Sequence, residues 1–530
     1  MHRVFYVEEL VRWIALNANE GSSGSASLLA LARCCKVLEG PAMDVLWQRQ
    51  KLLVVILRTL PADCWIVTDG VYVGRSYLHP SSHSPLVQRL TNIPTSGEWE
   101  RFKTYTARVV ELNIGGVCAL GAGSLEASPE TISFLGMQST VDTLWPRVTS
   151  LILASRSSWD AVASSLAFLS PKIQSLALIL PQDTSVLLQP ILSIASSRCH
   201  QVHELVLDIV VGDSHSAHRV GGLISACRDT LRTLEVRSPY KTEYLPIISN
   251  LPQLRTLCLQ SPSLPCRIAF GSFPVLEEFT FKHLQGCRIE HFLKSLGTTG
   301  LKVANIYSTD AIDLRKSIAA LSRFSTSLRD LEITGITSLD LASVPTPRPP
   351  FTNLRSVRLS CHPWGAIHKS CTLRLSDEAV AELGETMPNV IHLTLGDPAC
   401  PNLRCATFLS LVSLSKTCRG LETLKLKVDF RTMVTPSLSF SGGNDVGTGA
   451  APDETRGRAC KLRKLVVGSS ILPNPPESGW IVAIGLGKIF PFLTEVEGFG
   501  RGRSNCKWEQ VGGYIRMSRQ VLRIVGNSGA

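Results

Sequence analysis

From about residue 109 onward one spacing of apolar positions keeps returning: an apolar residue, two variable ones, an apolar residue, one variable one, and an apolar residue. Leu231, Leu234 and Val236 show it, as do Leu254, Leu257 and Leu259; Leu328, Leu331 and Ile333; Leu421, Leu424 and Leu426; and Leu462, Leu465 and Val467. Further copies begin at Val109, Val148, Ile173, Val202, Leu276, Leu301, Leu354, Val390 and, in degenerate form, Leu493. The last two apolar residues of each copy are two apart, so on an extended chain they point to the same side, which predicts a strand. Between copies the spacing turns helical, as in Trp159, Val162, Ala163, Leu166 and Leu169, or Leu187, Ile191, Leu192 and Ala195. Each period therefore pairs a strand with a returning helix, and the starts lie 22 to 41 residues apart. One such coil cannot bury its apolar side alone, so the periods must stack on one another.

The spacing is the strand signature of leucine-rich repeats, and the extra length of each period accommodates the helices. The expected fold class is α/β: a leucine-rich-repeat solenoid, a horseshoe or arc, over residues 106–530. A doubly wound α/β domain would also alternate strand and helix, but its strands read as continuous Val/Ile runs and a Gly-rich phosphate loop follows the first, neither of which is found. Three segments interrupt the array: the prolines at 345, 347, 349 and 350, those at 473, 475 and 476, and a Gly-rich stretch from Ser437 to Arg458 that is expected to be disordered.

The first fifty residues do not follow the repeat. Phe5, Leu10 and Ile14 predict a short amphipathic helix ending in a linker, Gly21 to Ser27. Leu28, Leu29, Leu31, Ala32, Cys35 and Leu38 predict a second helix, and a third starts after Pro41 with Ala42, Val45, Leu46 and Trp47. The segments Ser27-Leu28-Leu29-Ala30-Leu31-Ala32-Arg33-Cys34-Cys35-Lys36 and Pro41-Ala42-Met43-Asp44-Val45-Leu46-Trp47 resemble the central and closing helices of the F-box. Leu60-Pro61-Ala62-Asp63-Cys64-Trp65 also resembles a segment common in fungal F-box-like proteins. The resemblance implies a three-helix module over 1–55, a connecting segment over 56–105, and a role as substrate receptor of an SCF-type ubiquitin ligase. It implies a Skp-type adaptor as partner, and cullin through it, with Leu10, Ile14, Leu28, Leu31, Ala32, Cys35, Leu46 and Trp47 at the contact. Read from the residues alone, the three helices also suit a cap on the first coil, which every repeat array needs, and the two roles are compatible.

Composition narrows the setting. With 530 residues, 44% hydrophobic and 18% charged, the chain can bury a large core. The net charge of +11 permits contact with nucleic acid, yet no run of five or six like charges occurs and the excess is spread along the chain. Glu8, Glu9, Arg12 and Glu20 exclude a signal-peptide core, and no apolar run approaches the roughly 18 residues that span a bilayer. Sixteen scattered cysteines without a C-x-x-C pair, and no Asn-x-Ser/Thr site, predict reduced thiols and a cytoplasmic or nuclear protein without membrane contact.

A search for catalytic signatures finds none. G-x-x-x-x-G-K-S/T, G-x-S-x-G and H-E-x-x-H are absent, and Gly485-Leu486-Gly487-Lys488 lacks the remaining phosphate-loop positions. Cys199, His200, His203, His215 and His218 have a spacing that can chelate zinc, but they fall on a variable strand position and in a polar loop, so no metal or other cofactor is expected. Glu495 and Glu497 share a strand face without a pocket and are read as binding residues. The chain is expected to be a protein-binding molecule and not an enzyme.

The variable residues flanking the second and third apolar positions project onto the concave face. Glu204, Asp208, Glu235, Glu278, Asp330 and Glu332 make its middle acidic, against Arg237 and Lys282, whereas Arg358, Lys425, Lys427 and Lys464 make its later part basic. Six carboxylates disfavour a polyanion along the array, so nucleic acid is the weaker reading. A protein segment of mixed charge, anchored on side chains such as Tyr307, is the expected ligand.

Overall fold

The computed structural model describes residues 8–19, 24–48, 52–69, 86–114, 118–120, 123–138, 141–154, 159–180, 187–209, 214–237, 245–260, 269, 271–284, 289–312, 314–336, 350–360, 375–397, 403, 405–431, 459–468, 470–472, 478–498 and 504–527. The Ser437–Arg458 stretch and all the interrupting prolines except Pro350 lie outside them. Contacts divide the chain into two compact units, Met1–Leu254 and Arg255–Ala530.

The first unit begins with α1 (Glu8–Ala18), α2 (Gly24–Cys34) and α3 (Lys36–Gln48). Ala15, Leu28, Ala42 and Val45 form their common core. Two boundaries differ from the sequence expectation. The linker is shorter, because Gly24 to Ser27 already belong to α2, and α3 starts at Lys36 with Pro41 inside it. The buried stripe Leu38, Ala42 and Val45 runs through the proline, so packing of one continuous helix face overrides the tendency of proline to start a helix.

A small sheet follows, with strand order β1 (Trp65–Asp69), β2 (Leu86–Leu90), β5 (Gly123–Ala127) and β4 (Cys118–Leu120). The repeat begins with β3 (Glu111–Ile114) and continues as β6 (Ser150–Ala154), β7 (Ser175–Ile179), β8 (Glu204–Asp208) and β9 (Thr233–Val236), each parallel to the last. In the second unit β10 (Thr256–Gln260), β11 (Glu278–Leu284), β12 (Val303–Ile312), β13 (Asp330–Ile336), β14 (Ser356–Leu359), β15 (His392–Leu395), β17 (Thr423–Leu426), β19 (Lys464–Val466) and β20 (Glu495–Glu497) form the same kind of parallel ladder. The short strands β16 (Ala406–Thr407) and β18 (Val428–Asp429) pair beside it.

All fourteen expected strand segments are strands of these two ladders, and each begins two residues after the first apolar residue of its repeat. That first residue is buried in every copy, from Val109 to Leu493, and the next two turn towards the helices. The corner is tied by a repeating bond in which a backbone N–H donates to the same position one coil earlier. His203 N–H to Gln174 O (2.7 Å) and Arg232 N–H to His203 O (2.8 Å) show it in the first unit, and Arg329 N–H to Lys302 O (2.7 Å) in the second. Coils of this type, stacked strand on strand in register, are the leucine-rich-repeat architecture.

Buried thiols reinforce the stacking. Cys227 Sγ donates to Cys199 O (3.2 Å), and Cys460 Sγ donates to Cys418 O (3.4 Å), each reaching the preceding coil. Burial pushes the Cys199 thiol up to about 12 and those of Cys227 and Cys418 up to about 11, as befits protonated donors.

Both outer edges are covered. Leu52 bridges Asn113 of β3, and the helix Leu53–Leu57 that follows buries Leu53, Val54, Ile56 and Leu57. At the other end, helix Ser504–Asn527 packs along β20 with Trp508, Val511 and Ile515 buried.

Candidate binding surface

Alternation along each strand puts every second side chain on the face away from the helices, and parallel register lines these side chains up in rows. In the second unit one row runs Thr256, Glu278, Val303, Asp330, Ser356, His392, Thr423, Lys464, Glu495. The adjacent row runs Cys258, Thr280, Asn305, Glu332, Arg358, Thr394, Lys425, Val466, Glu497. The sequence-predicted residues Glu278, Asp330, Glu332, Arg358, Lys425 and Lys464 lie on these rows, and Tyr307 stands one position further along β12.

Tyr307, Glu332 and Arg358 form a chain across three strands. The Tyr307 hydroxyl donates to Glu332 Oε2 (2.8 Å), and Arg358 Nε lies 3.4 Å from Glu332 Oε1, at ion-pair distance without hydrogen-bond geometry. Burial, and then the bond to Glu332, raises the Tyr307 pKa, so its proton stays in place. On the neighbouring strands the Asn305 side-chain amide donates to Thr280 Oγ1 (3.2 Å). These strands enclose an open hollow of about 350 Å³, walled by Val303, Asn305, Asp330, Ser356, Arg358 and His392.

The expected basic end requires correction. Lys427 is buried, at 5% exposure, beside β18, because the chain leaves the ladder after Leu426. Lys464 bonds Glu497 (2.6 Å) and approaches Glu495 (3.3 Å), both at equivalent positions of β20, and these carboxylates raise its pKa. Arg358 is committed to Glu332, so of the four cations expected at this end only Lys425 stands on the face without a described ion pair. Glu495 and Glu497, read from the sequence as binding residues on one strand face, hold Lys464 instead.

In the first unit Glu204 is exposed, Asp208 is half-buried, and Glu235 pairs with Arg237 just past the end of β9 (3.0 Å). Between these charges lie half-buried apolar side chains, Ile152, Ala177 and Val206 in one row and Ile179 in the next. A reading for charge overlooked them. Their signal was an apolar residue at a variable position of the repeat.

The helical module places the predicted adaptor contacts unevenly. Leu10 is exposed, and Ile14, Leu31, Ala32, Cys35 and Leu46 are half-buried, the last except Cys35 and Ile14 against the module's core. Leu28 is fully buried in that core and is not available to a partner. Trp47 is half-buried: its ring packs 4.9 Å from Tyr105 of helix Ser96–Thr106, and Asp44 pairs with Arg108 (3.3 Å), so this end of α3 also meets the connecting segment. Among the described residues of the module the most exposed large apolar side chain is Trp13 (63%), which stands with Leu10, Leu16 and Leu29 among the exposed apolar residues of α1 and α2. The expectation had passed over Trp13 because its helical period was counted from Phe5, Leu10 and Ile14.

Cys199 is buried and points to Ser170 O, His200 and His218 are exposed, and the His215 side chain lies outside the described residues. Among the described residues no group of three His, Cys, Asp or Glu converges as a metal site. No described helix is long and apolar enough to cross a membrane.

No protein-family profile and no curated protein sequence matches the chain. Among solved structures, an internalin of Listeria monocytogenes is similar at 15% sequence identity and a TM-score of 0.35, over 67% of this chain and 84% of that one.

Proposed function

We infer that this chain is a non-enzymatic recognition subunit. The open face of the second unit holds an extended protein segment, and the N-terminal helices dock onto an adaptor of the Skp type, making the chain a substrate receptor of an SCF-type ubiquitin ligase. The observation that carries the binding role is the pair of in-register polar rows around the hollow on β12 to β15. In-register side chains at strand spacing offer a ligand regularly placed partners, and those partners fix its register.

The adaptor role rests on the resemblance of residues 27–47 to the F-box and is supported by two features. Residues 52–57 meet the edge strand β3, so a cap is supplied by residues outside α1 and α2. Their Leu10, Trp13, Leu16 and Leu29 are exposed, apolar side chains that an adaptor would cover. Affinity purification of the intact chain from cells tests this reading, which requires adaptor and cullin in the eluate. Trp13→Ala should weaken adaptor binding about thirty-fold if the ring is an interface anchor worth about 2 kcal/mol. An eluate without adaptor removes the ligase role and leaves a protein-binding scaffold, the second reading that the same polar rows support.

A further inference from the structure

We propose that the hollow on β12 to β15 is a socket for one basic side chain, arginine or lysine, of the bound protein segment. The inference rests on the open-face reading above and specifies its ligand. Of the charges around the hollow, Glu332 and Arg358 neutralise each other, and Tyr307 holds the second oxygen of Glu332. Asp330 is left with the uncompensated charge: it is half-buried, no described residue pairs with it, and the nearest carboxylate in its row, Glu278, is also without a described cation.

The neighbours of Asp330 suit a cation on a long apolar stem. Its register partner on β12 is Val303, a half-buried apolar wall, and its partner on β14 is Ser356, a hydroxyl acceptor. Asn305 spends its amide N–H on Thr280 and keeps its carbonyl oxygen as an acceptor. A lysine or arginine stem lying on Val303 would bring its charged head to the Asp330 carboxylate with further acceptors beside it, an arrangement that an acidic or purely apolar side chain does not match. The volume of about 350 Å³ accommodates one such side chain with attendant water.

The test uses the intact chain and a pool of random twelve-residue peptides displayed on phage. Selected peptides are expected to share an arginine or lysine at one fixed position, and Asp330→Asn should weaken a synthetic copy of such a peptide at least tenfold. Changing the shared basic residue of the peptide to methionine should cost the same factor, and combining the two changes should cost no more. That second arm leaves the protein untouched, so it does not depend on how a variant folds. Peptides that bind Asp330→Asn as tightly as the parent but lose binding to Ser356→Arg, which fills the hollow, would overturn the socket and leave the face reading standing. Peptides indifferent to both substitutions would overturn both.

Discussion

Leu331 and Asp330 are adjacent in sequence yet experience opposite surroundings: the first is buried against the helices and the second faces outward. Leu331→Asp is therefore expected to place an unpaired carboxylate in a core shared between coils, at a cost of several kcal/mol that is comparable to the stability of a whole domain. Thr233→Asp, on a half-buried outward position, should leave the thermal unfolding midpoint nearly unchanged, and equal damage from the two would contradict the observed register. The buried thiols carry a second expectation. Cys199, Cys227 and Cys418 have folded pKa values of about 12, 11 and 11, above those of an unfolded thiol, so in the unfolded chain they lose protons first as pH rises. Their contribution is fully present below about pH 8.5 and disappears as pH climbs through 11 to 12. Melting temperature should fall over that window, and Cys199→Ala should flatten the fall while lowering stability at neutral pH.

At the scale of elements, the helix Ser504–Asn527 decides what happens to the last strand. Trp508 is 3% exposed, lies 5.3 Å from the ring of Phe430, and has Gly498 directly against its indole, where an added Cβ would overlap the ring. Trp508→Ala should cost about 3–5 kcal/mol through the cavity it leaves, and Gly498→Ala should destabilise through overlap instead. Both should free the edge of β20, seen as faster amide exchange at Val496 and its neighbours than in the parent. Trp47 presents the same kind of question at the other end. Because its ring meets Tyr105, Trp47→Ala should lower the melting temperature, whereas Trp13→Ala should leave it intact and act on binding alone.

For the molecule as a whole, truncation distinguishes the parts that fold from the parts that dock. Removing residues 1–48 takes away α1 to α3 and the Trp47–Tyr105 contact but keeps Leu52 and the helix that covers β3. The shortened chain should still unfold cooperatively and, on the adaptor role proposed above, should no longer retain an adaptor. Removing residues 1–60 also takes the cap and should unfold the first coil, visible as proteolysis spreading from the new N-terminus into β3. The net charge of +11 acts at this scale too, yet the pairing of Lys464, Arg358 and Arg237 with glutamates leaves no basic track along the rows described. Filter binding to RNA or DNA at low salt should accordingly show no salt-sensitive retention attributable to this face.

The sequence by itself determined the repeat: fourteen copies of one apolar spacing placed every strand of the two ladders, because a buried face with a period of two leaves one register open to each strand. It also located three N-terminal helices and the rows on which Glu278, Asp330, Glu332 and Arg358 stand. Which charges on those rows remain uncommitted was decided only by the tertiary structure. Lys464 meets Glu495 and Glu497 across 31 and 33 residues of sequence, and Tyr307 meets Glu332 across 25, distances over which spacing carries no information about side-chain pairing. The same holds for Leu28 and Trp47. An apolar residue on a helix announces that it will be buried, but whether its own module or a partner covers it depends on where the neighbouring elements come to rest.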